Sequence, residues 1–312
     1  MWKKTEDRAF SADAMPHIPG MGGKNKAPAK IYDTAAAQVF ENVPYASVSK
    51  SEVCDIYIPE GKGAFPVIML VHGGGFAFEN QRMSLMESVA KKAINEGYAI
   101  VAVDYRKSGE TQFPGALSDV KAAVRFVRAN AEKYGFDSER IAVWGESAGA
   151  YLSLMTALTS SGPSLDGDVK DNAGFSSSVN ALVDFYGPVE FYTMDSEYKA
   201  LGRSGTNYSS DKSFESRYLG QAIGKDKEAT YKTYWETYFL PSTPLKAWIQ
   251  AGSADQNVPY TQSENFARRL AVKIGSENVH FGIIQDAAHM DKAFYTEENL
   301  SAIFDFLKSA LK

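Results

Sequence analysis

Two kinds of apolar pattern alternate along the chain. Short continuous apolar runs recur at Pro66 to Val71, Tyr98 to Tyr105, Arg140 to Trp144, Asn180 to Tyr186, Leu245 to Gln250 and Val279 to Ile284, with Val53 to Ile58 reading as an edge strand ahead of them. A run of this length without a polar face suits a strand covered on both sides of a sheet. Between the runs lie apolar stripes at helical spacing. Val120, Ala123, Val124, Val127 and Ala131 form one, and Leu300, Ile303, Phe304, Leu307 and Leu311 form another, with Glu298 and Lys308 off the stripe. The alternation predicts an α/β protein with a mostly parallel central sheet and helices on both faces. Function in such sheets gathers at the carboxyl ends of the strands.

Two stretches depart from this rhythm. Residues 1–35 are rich in Ala, Gly, Pro and Lys without periodicity and read as an N-terminal arm. Residues 189–243 carry 11 aromatics in 55 positions, about 20% against 12% for the whole chain, and read as a cap inserted into a single domain spanning 1–312. A cap of this composition can pack as a satellite core or wall an active site. Tyr231, Tyr234, Trp235 and Tyr238 recur at helical spacing. Trp235 and Tyr238 are therefore candidate substrate contacts, since such side chains offer stacking area together with a polar handle.

Composition narrows the classes of function. With 44% hydrophobic residues and 23% charged, the chain can bury a large core. A formal net charge of -5, with Lys and Arg scattered, gives no field for a polyanion, so nucleic acid is not an expected partner. No apolar stretch is long enough to suggest a membrane span. The first residues lack the apolar centre of a signal peptide, and the single Cys54 reads as a buried thiol in a strand. These features fit a cytoplasmic protein, while a processed secreted form would leave the same sequence. A homo-oligomer is compatible with all of them.

The chemistry is concentrated at strand ends. Gly145-Glu146-Ser147-Ala148-Gly149 follows the strand Ile141 to Trp144 and precedes a helical segment, the context of a nucleophile elbow. His72-Gly73-Gly74-Gly75-Phe76 begins where another apolar strand ends, and its glycines leave backbone N–H groups able to approach an oxyanion. Gly74, Gly75 and Ala148 are the expected donors, with Phe76 and Glu146 expected near the substrate. Four histidines are available as a base. His17 lies in the arm, His72 in the glycine motif, and His280 in a strand pattern where a packed role is expected. His289 stands in a loop after the last strand, where a base can lean over the sheet edge. The acid should fall between Ser and His in chain order. Asp255, in the turn after Trp248 to Gln250, meets this better than Asp184, inside a strand, or Asp286, on the loop of the base itself. Ser147, His289 and Asp255 are thus the expected nucleophile, base and orienting acid. No histidine pair stands at ligand spacing and no dinucleotide fingerprint follows a strand, so neither metal nor organic cofactor is expected.

With the HGGGF run and the G-x-S-A-G elbow in hand, the chain resembles the bacterial hormone-sensitive-lipase-like carboxylesterases over most of residues 50–312. Gly252 to Pro259 and Val103-Asp104-Tyr105-Arg106 also look like segments of that family. Phe113 to Ala123 and the elbow helix look closest to its feruloyl and acetyl-xylan esterases. The resemblance implies an α/β-hydrolase fold, serine catalysis through an acyl-enzyme, and a small-molecule or oligosaccharide ester as substrate, with removal of acetyl from carbohydrate esters foremost. A general short-chain carboxylesterase acting on lipid or aryl esters is the alternative. The remote alternative is a binding protein on the same fold, as in the plant gibberellin receptors, which resemble this family but lack its histidine. Glu146 beside the nucleophile and the long aromatic insertion depart from the family's usual pattern.

Overall fold

Eight strands form one sheet in the order β1-β2-β4-β3-β5-β6-β7-β8. The strands are β1 (Gln38–Pro44), β2 (Val53–Ile58), β3 (Phe65–Val71), β4 (Ala99–Val103), β5 (Phe136–Glu146), β6 (Ala181–Phe185), β7 (Lys246–Gly252) and β8 (Val279–Ile284). β2 pairs antiparallel with both β1 and β4, and every pairing from β4 through to β8 is parallel. The computed structural model describes residues 30–160, 165–241 and 244–311. Most of the expected arm, residues 1–29 with His17, lies outside the described residues, as do residues 242 and 243 of the expected cap.

The helices divide between the faces of the sheet. α1 (Glu87–Asn95) and α9 (Glu297–Ala310) bury their apolar residues in one core with Ile68, Leu70, Ile100, Ala142, Trp144 and Val183. α2 (Gly115–Ala129), α4 (Ala148–Leu158) and α8 (Tyr260–Ile274) pack in the other, with Val67, Met69, Val101, Val143, Leu182 and Ile249. Adjacent strand residues alternate between these cores because successive side chains point to opposite faces. A four-residue α3 (Ala131–Tyr134) leads into β5. Among the described residues no helix is long and apolar enough to cross a membrane.

The polar side of α2 is covered as well as its apolar stripe. Asp119, Lys121 and Arg125 are buried along with Val120 and Val124. The loop around residues 165–171 lies over them: Lys121 pairs with Asp166 at 2.9 Å, and Arg125 donates to the carbonyls of Val169 and Asp171. Arg106, just beyond β4, joins the same network, bonding Asp119 at 2.7 Å and Asp168 at 2.8 Å. Buried charges need such partners, because an isolated ion in a dry interior costs several kcal/mol or more. Burial pushes the Asp119 carboxyl up to about 6, although Arg106 opposes the shift.

Between β6 and β7 the chain forms three short helices, α5 (Met194–Ala200), α6 (Phe214–Leu219) and α7 (Lys227–Tyr231), and a 3-10 turn at Trp235–Tyr238. Ser213 and Asp226 cap α6 and α7 through their side-chain oxygens.

Candidate active site

The elbow turns sharply between β5 and α4. Ser147 sits there at φ 51°, a backbone region strained for a non-glycine residue, and its N–H bonds the carbonyl of Phe185 at 3.0 Å. Neither flanking glycine can carry a side chain. A Cβ on Gly145 would lie 2.2 Å from the Gly149 carbonyl oxygen, and one on Gly149 would lie 2.1 Å from that of Val71.

His289 comes to this serine from the loop after β8, and Asp255 from the turn after β7. The His289 Nε2 is 3.0 Å from Ser147 Oγ, and its Nδ1 is 2.7 Å from Asp255 Oδ2. The other carboxylate oxygen of Asp255 accepts the N–H groups of Asn257 and Val258 at 2.7 and 2.9 Å, which fixes the plane of the carboxylate. Asp286 and Met290 on either side of the histidine take positive φ, so its loop bends twice. The competing acids stand apart: Asp286 is exposed, and buried Asp184 accepts the Gly187 N–H at 3.0 Å. His280 differs from its expected packed role. It is exposed on β8 and stacks on Trp248 at 3.6 Å between ring centroids.

The glycine loop abuts the nucleophile, since a Cβ on Gly73 would lie 3.2 Å from that of Ser147. Gly74 adopts φ 102° and its carbonyl accepts the N–H groups of Ala77 and Phe78, closing a tight turn that contains Gly75. Ala148 is the first residue of α4, where the backbone N–H has no carbonyl within its own helix. The three expected donors therefore lie on the two segments that meet at Ser147. A buried prop holds the loop in place. His72 bonds Asp104 through Nε2 at 3.0 Å and the Gly73 carbonyl through Nδ1 at 2.7 Å, and stacks on Tyr105, whose hydroxyl donates to the His72 carbonyl. Lys107 also pairs with Asp104. Burial, then the Lys107 charge, lowers the His72 pKa, against the opposing pull of Asp104 and the Gly73 carbonyl.

Three of the four expected substrate contacts turn out to be buried elsewhere. Phe76 stacks on Tyr218 at 4.1 Å and meets Tyr151 and Phe191, because its positive φ turns the side chain inward. Trp235 is fully buried against Phe239 and Phe266 and forms the cap's anchor on α8. Glu146 is fully buried, since alternation along β5 sends it to the core opposite Ser147. Tyr238 is half-buried and packs against the same core as Trp235. The ring that does approach the glycine loop is Phe214 of α6, so near that a Cβ on Gly75 would lie 2.7 Å from it, with Phe78 edge-on beside it. Its Ser-Phe-Glu context carries no motif that marks it.

The cap also grips the loop that bears Asp255. Arg203 donates to the carbonyls of Asp255 and Ser253, Tyr198 donates to Gln256 at 3.1 Å, and Tyr208 donates to the Asn257 carbonyl at 2.6 Å.

The family model of BD-FAE matches residues 54–270, more than half of the chain. The chain belongs to the BD-FAE family. Esterase LipQ of Mycobacterium tuberculosis is 26% identical over 98% of this chain and 69% of its own length. Among solved structures, a truncated carbohydrate esterase from gut microbiota superposes with a TM-score of 0.78 at 25% identity, covering 90% of this chain and 98% of that one. A bifunctional GH43-CE protein of Bacteroides eggerthii gives 0.77 at 26%, covering 88% of this chain and 35% of its own. This BD-FAE protein is a carboxylic ester hydrolase of the α/β-hydrolase fold with a likeness to carbohydrate esterases.

Proposed function

We propose that the enzyme removes short acyl groups, acetyl foremost, from carbohydrate esters, with Ser147 as nucleophile. The observation that carries the mechanism is the continuous chain Ser147–His289–Asp255, at 3.0 and 2.7 Å. Ser147 Oγ attacks the ester carbonyl carbon while His289 Nε2 takes its proton. Asp255 keeps the proton on Nδ1 and stabilises the imidazolium. The carbonyl oxygen becomes an oxyanion, received by the N–H groups of Gly74, Gly75 and Ala148. Collapse breaks the bond to the alcohol, which leaves with the proton from Nε2. Water, deprotonated by the same nitrogen, then attacks the acyl-enzyme and releases the acid and Ser147.

The carbohydrate reading rests on the gut-microbiota carbohydrate esterase and the GH43-CE protein, which cover most of this chain at TM-scores of 0.78 and 0.77. The apolar rings of Phe214 and Phe78 beside Gly75 favour a second reading, a general short-chain esterase acting on aryl or small lipid esters. A substrate panel separates the two. The enzyme should cleave acetylated xylo-oligosaccharides and show a graded fall on nitrophenyl esters as the acyl chain grows, since each methylene alters discrimination by only about 1–3 kcal/mol. Ser147→Ala should abolish both activities, and a serine-directed phosphonate should label Ser147 alone. Substantial hydrolysis by pure Ser147→Ala would overturn the mechanism. A best rate on acyl chains of eight or more carbons, with no action on acetylated sugars, would overturn the carbohydrate reading.

A further inference from the structure

The catalytic scheme leaves one carboxyl beside the nucleophile without a part to play. Glu146 immediately precedes Ser147, yet its side chain is fully buried on the other face of β5. One of its oxygens accepts the Tyr295 hydroxyl at 2.6 Å, and the other has no hydrogen-bond partner among the described residues. Tyr295 is in turn 2.5 Å from the Tyr186 hydroxyl. The Tyr186 ring packs edge-on against the His289 imidazole, with 4.7 Å between centroids. The contacts Glu146–Tyr295–Tyr186–His289 thus run from the buried carboxyl to the ring of the base.

The pieces are held stiffly. Tyr186 sits at φ 47°, its N–H bonding the Gln250 carbonyl at 2.8 Å, so its ring leaves β6 in a fixed direction. Phe294 and Phe185 pack against it, and Tyr295 belongs to the short 3-10 turn Lys292–Tyr295 that follows the histidine loop. The ring backs a histidine whose loop holds positive φ at Asp286 before it and at Met290 after it.

We propose that Glu146 is a positioning residue for His289, acting through Tyr295 and Tyr186, and that its charge favours the imidazolium formed during hydrolysis. This rests on the reading of His289 as the general base. Burial pushes the Glu146 carboxyl up to about 7, against the pull of the Tyr295 and Tyr186 hydroxyls. Tyr32, from the segment before β1, adds a third phenol, held neutral by burial first and by Glu146 second. All three phenols stay protonated, and among the described residues no cation is counted with the groups that act on Glu146. Among the described residues Asp255 is the charged side chain paired with His289, Asp286 and Asp291 stand on the same loop, and Arg203 donates to the Asp255 carbonyl. Glu146 is therefore neutral below about pH 7 and anionic above it. Among buried groups, a negative charge two rings away attracts a forming imidazolium more strongly than it would in solution.

The test compares Glu146→Gln with wild type on nitrophenyl acetate from pH 5.5 to 9. Gln keeps an acceptor for Tyr295 and removes the ionisation. The ratio of wild-type to variant kcat should be near one at pH 6 and rise to roughly three- to tenfold by pH 8.5, with KM unchanged. A residue that only packs would give a ratio independent of pH, and that result would overturn the proposal. A second measurement needs no turnover. With 15N-labelled histidine, the ring titration of His289 should have its midpoint at lower pH in Glu146→Gln than in wild type, because the anion that favours the imidazolium is gone. Equal midpoints in the two proteins would equally overturn the proposal. Should Glu146→Gln fail to fold, Tyr295→Phe serves instead. It breaks the link through which Glu146 acts, so the midpoint should fall in the same direction, and an unmoved midpoint refutes the link. If wild type proved to have no esterase activity, the ring titration would still decide whether Glu146 couples to His289.

Discussion

Replacing Asp255 by Asn tests the site more sharply than removing the nucleophile, because the structure dictates how the amide must sit. The oxygen of Asp255 that faces away from the histidine accepts two backbone N–H groups, from Asn257 and Val258. In Asp255→Asn only the amide oxygen can occupy that position, since an NH2 there would face two donors and leave them unpaired in a buried turn. The NH2 is then forced toward His289 Nδ1, which must accept. The imidazole proton moves to Nε2 and points at Ser147 Oγ, where a base is needed. The serine hydroxyl loses its proton acceptor although every heavy atom stays in place. Holding the wrong tautomer costs on the order of 10⁴ in kcat, which at about 1.36 kcal/mol per decade is roughly 5 kcal/mol of transition-state stabilisation. The assay is kcat and KM on nitrophenyl acetate, with thermal unfolding as a control. KM and Tm should stay close to wild type while kcat falls. Activity within tenfold of wild type in a folded Asp255→Asn enzyme would refute the assignment of Asp255, most directly if Asp286→Asn were the inactive variant.

Two further outcomes follow from groups described above. Trp235→Ala removes a fully buried indole that packs on Phe239 and Phe266. Such truncations cost about 3–5 kcal/mol, which for a chain of this length lowers Tm by roughly 5–8 °C, with little change in KM for acetylated oligosaccharides. A large rise in that KM at unchanged Tm would return Trp235 to the substrate. Asp184 is fully buried with one oxygen unpartnered among the described residues, and burial pushes its carboxyl up to about 7. Its unfolded value is ~3.9, so the folded state binds more protons between about pH 4 and 7, and this group's favourable contribution fades as pH rises through that window. Asp184→Asn should unfold at higher urea than wild type at pH 8 and show no such gain at pH 4. An equal gain at both would exclude charge as the cause.

Most strands of the sheet were legible because β3, β4, β6 and β7 are buried nearly throughout and therefore read as unbroken apolar runs. β1 escaped because it is an edge strand with a largely exposed face, where QVFENVP need not look apolar at all. The site's chemistry was legible for a related reason. Elbow and glycine loop are constrained by backbone crowding, and crowding selects glycine, which leaves a visible mark in the sequence. Substrate contacts carry no such constraint. Phe76, Glu146 and Trp235 lie beside the motifs or in the cap, but the direction of each side chain depends on the φ of one residue, the alternation of β5 and the packing of α8. The charged face of α2 misleads in the same manner, because the acid that pairs with both Lys121 and Arg125, Asp166, comes from a loop some forty residues downstream.

The grip of Arg203, Tyr198 and Tyr208 on residues 253–257 bears on any attempt to alter substrate range by exchanging insertions between relatives. A transplanted lid that lacks these three side chains would leave two carbonyls of the acid's turn without their guanidinium and release the neighbouring Asn257 carbonyl. The graft would then be judged a poor specificity element when its real defect lay in a slack acid. Chimeras of this scaffold should carry the three donors across with the insertion, or supply a substitute brace from the hydrolase body, before their selectivity is compared.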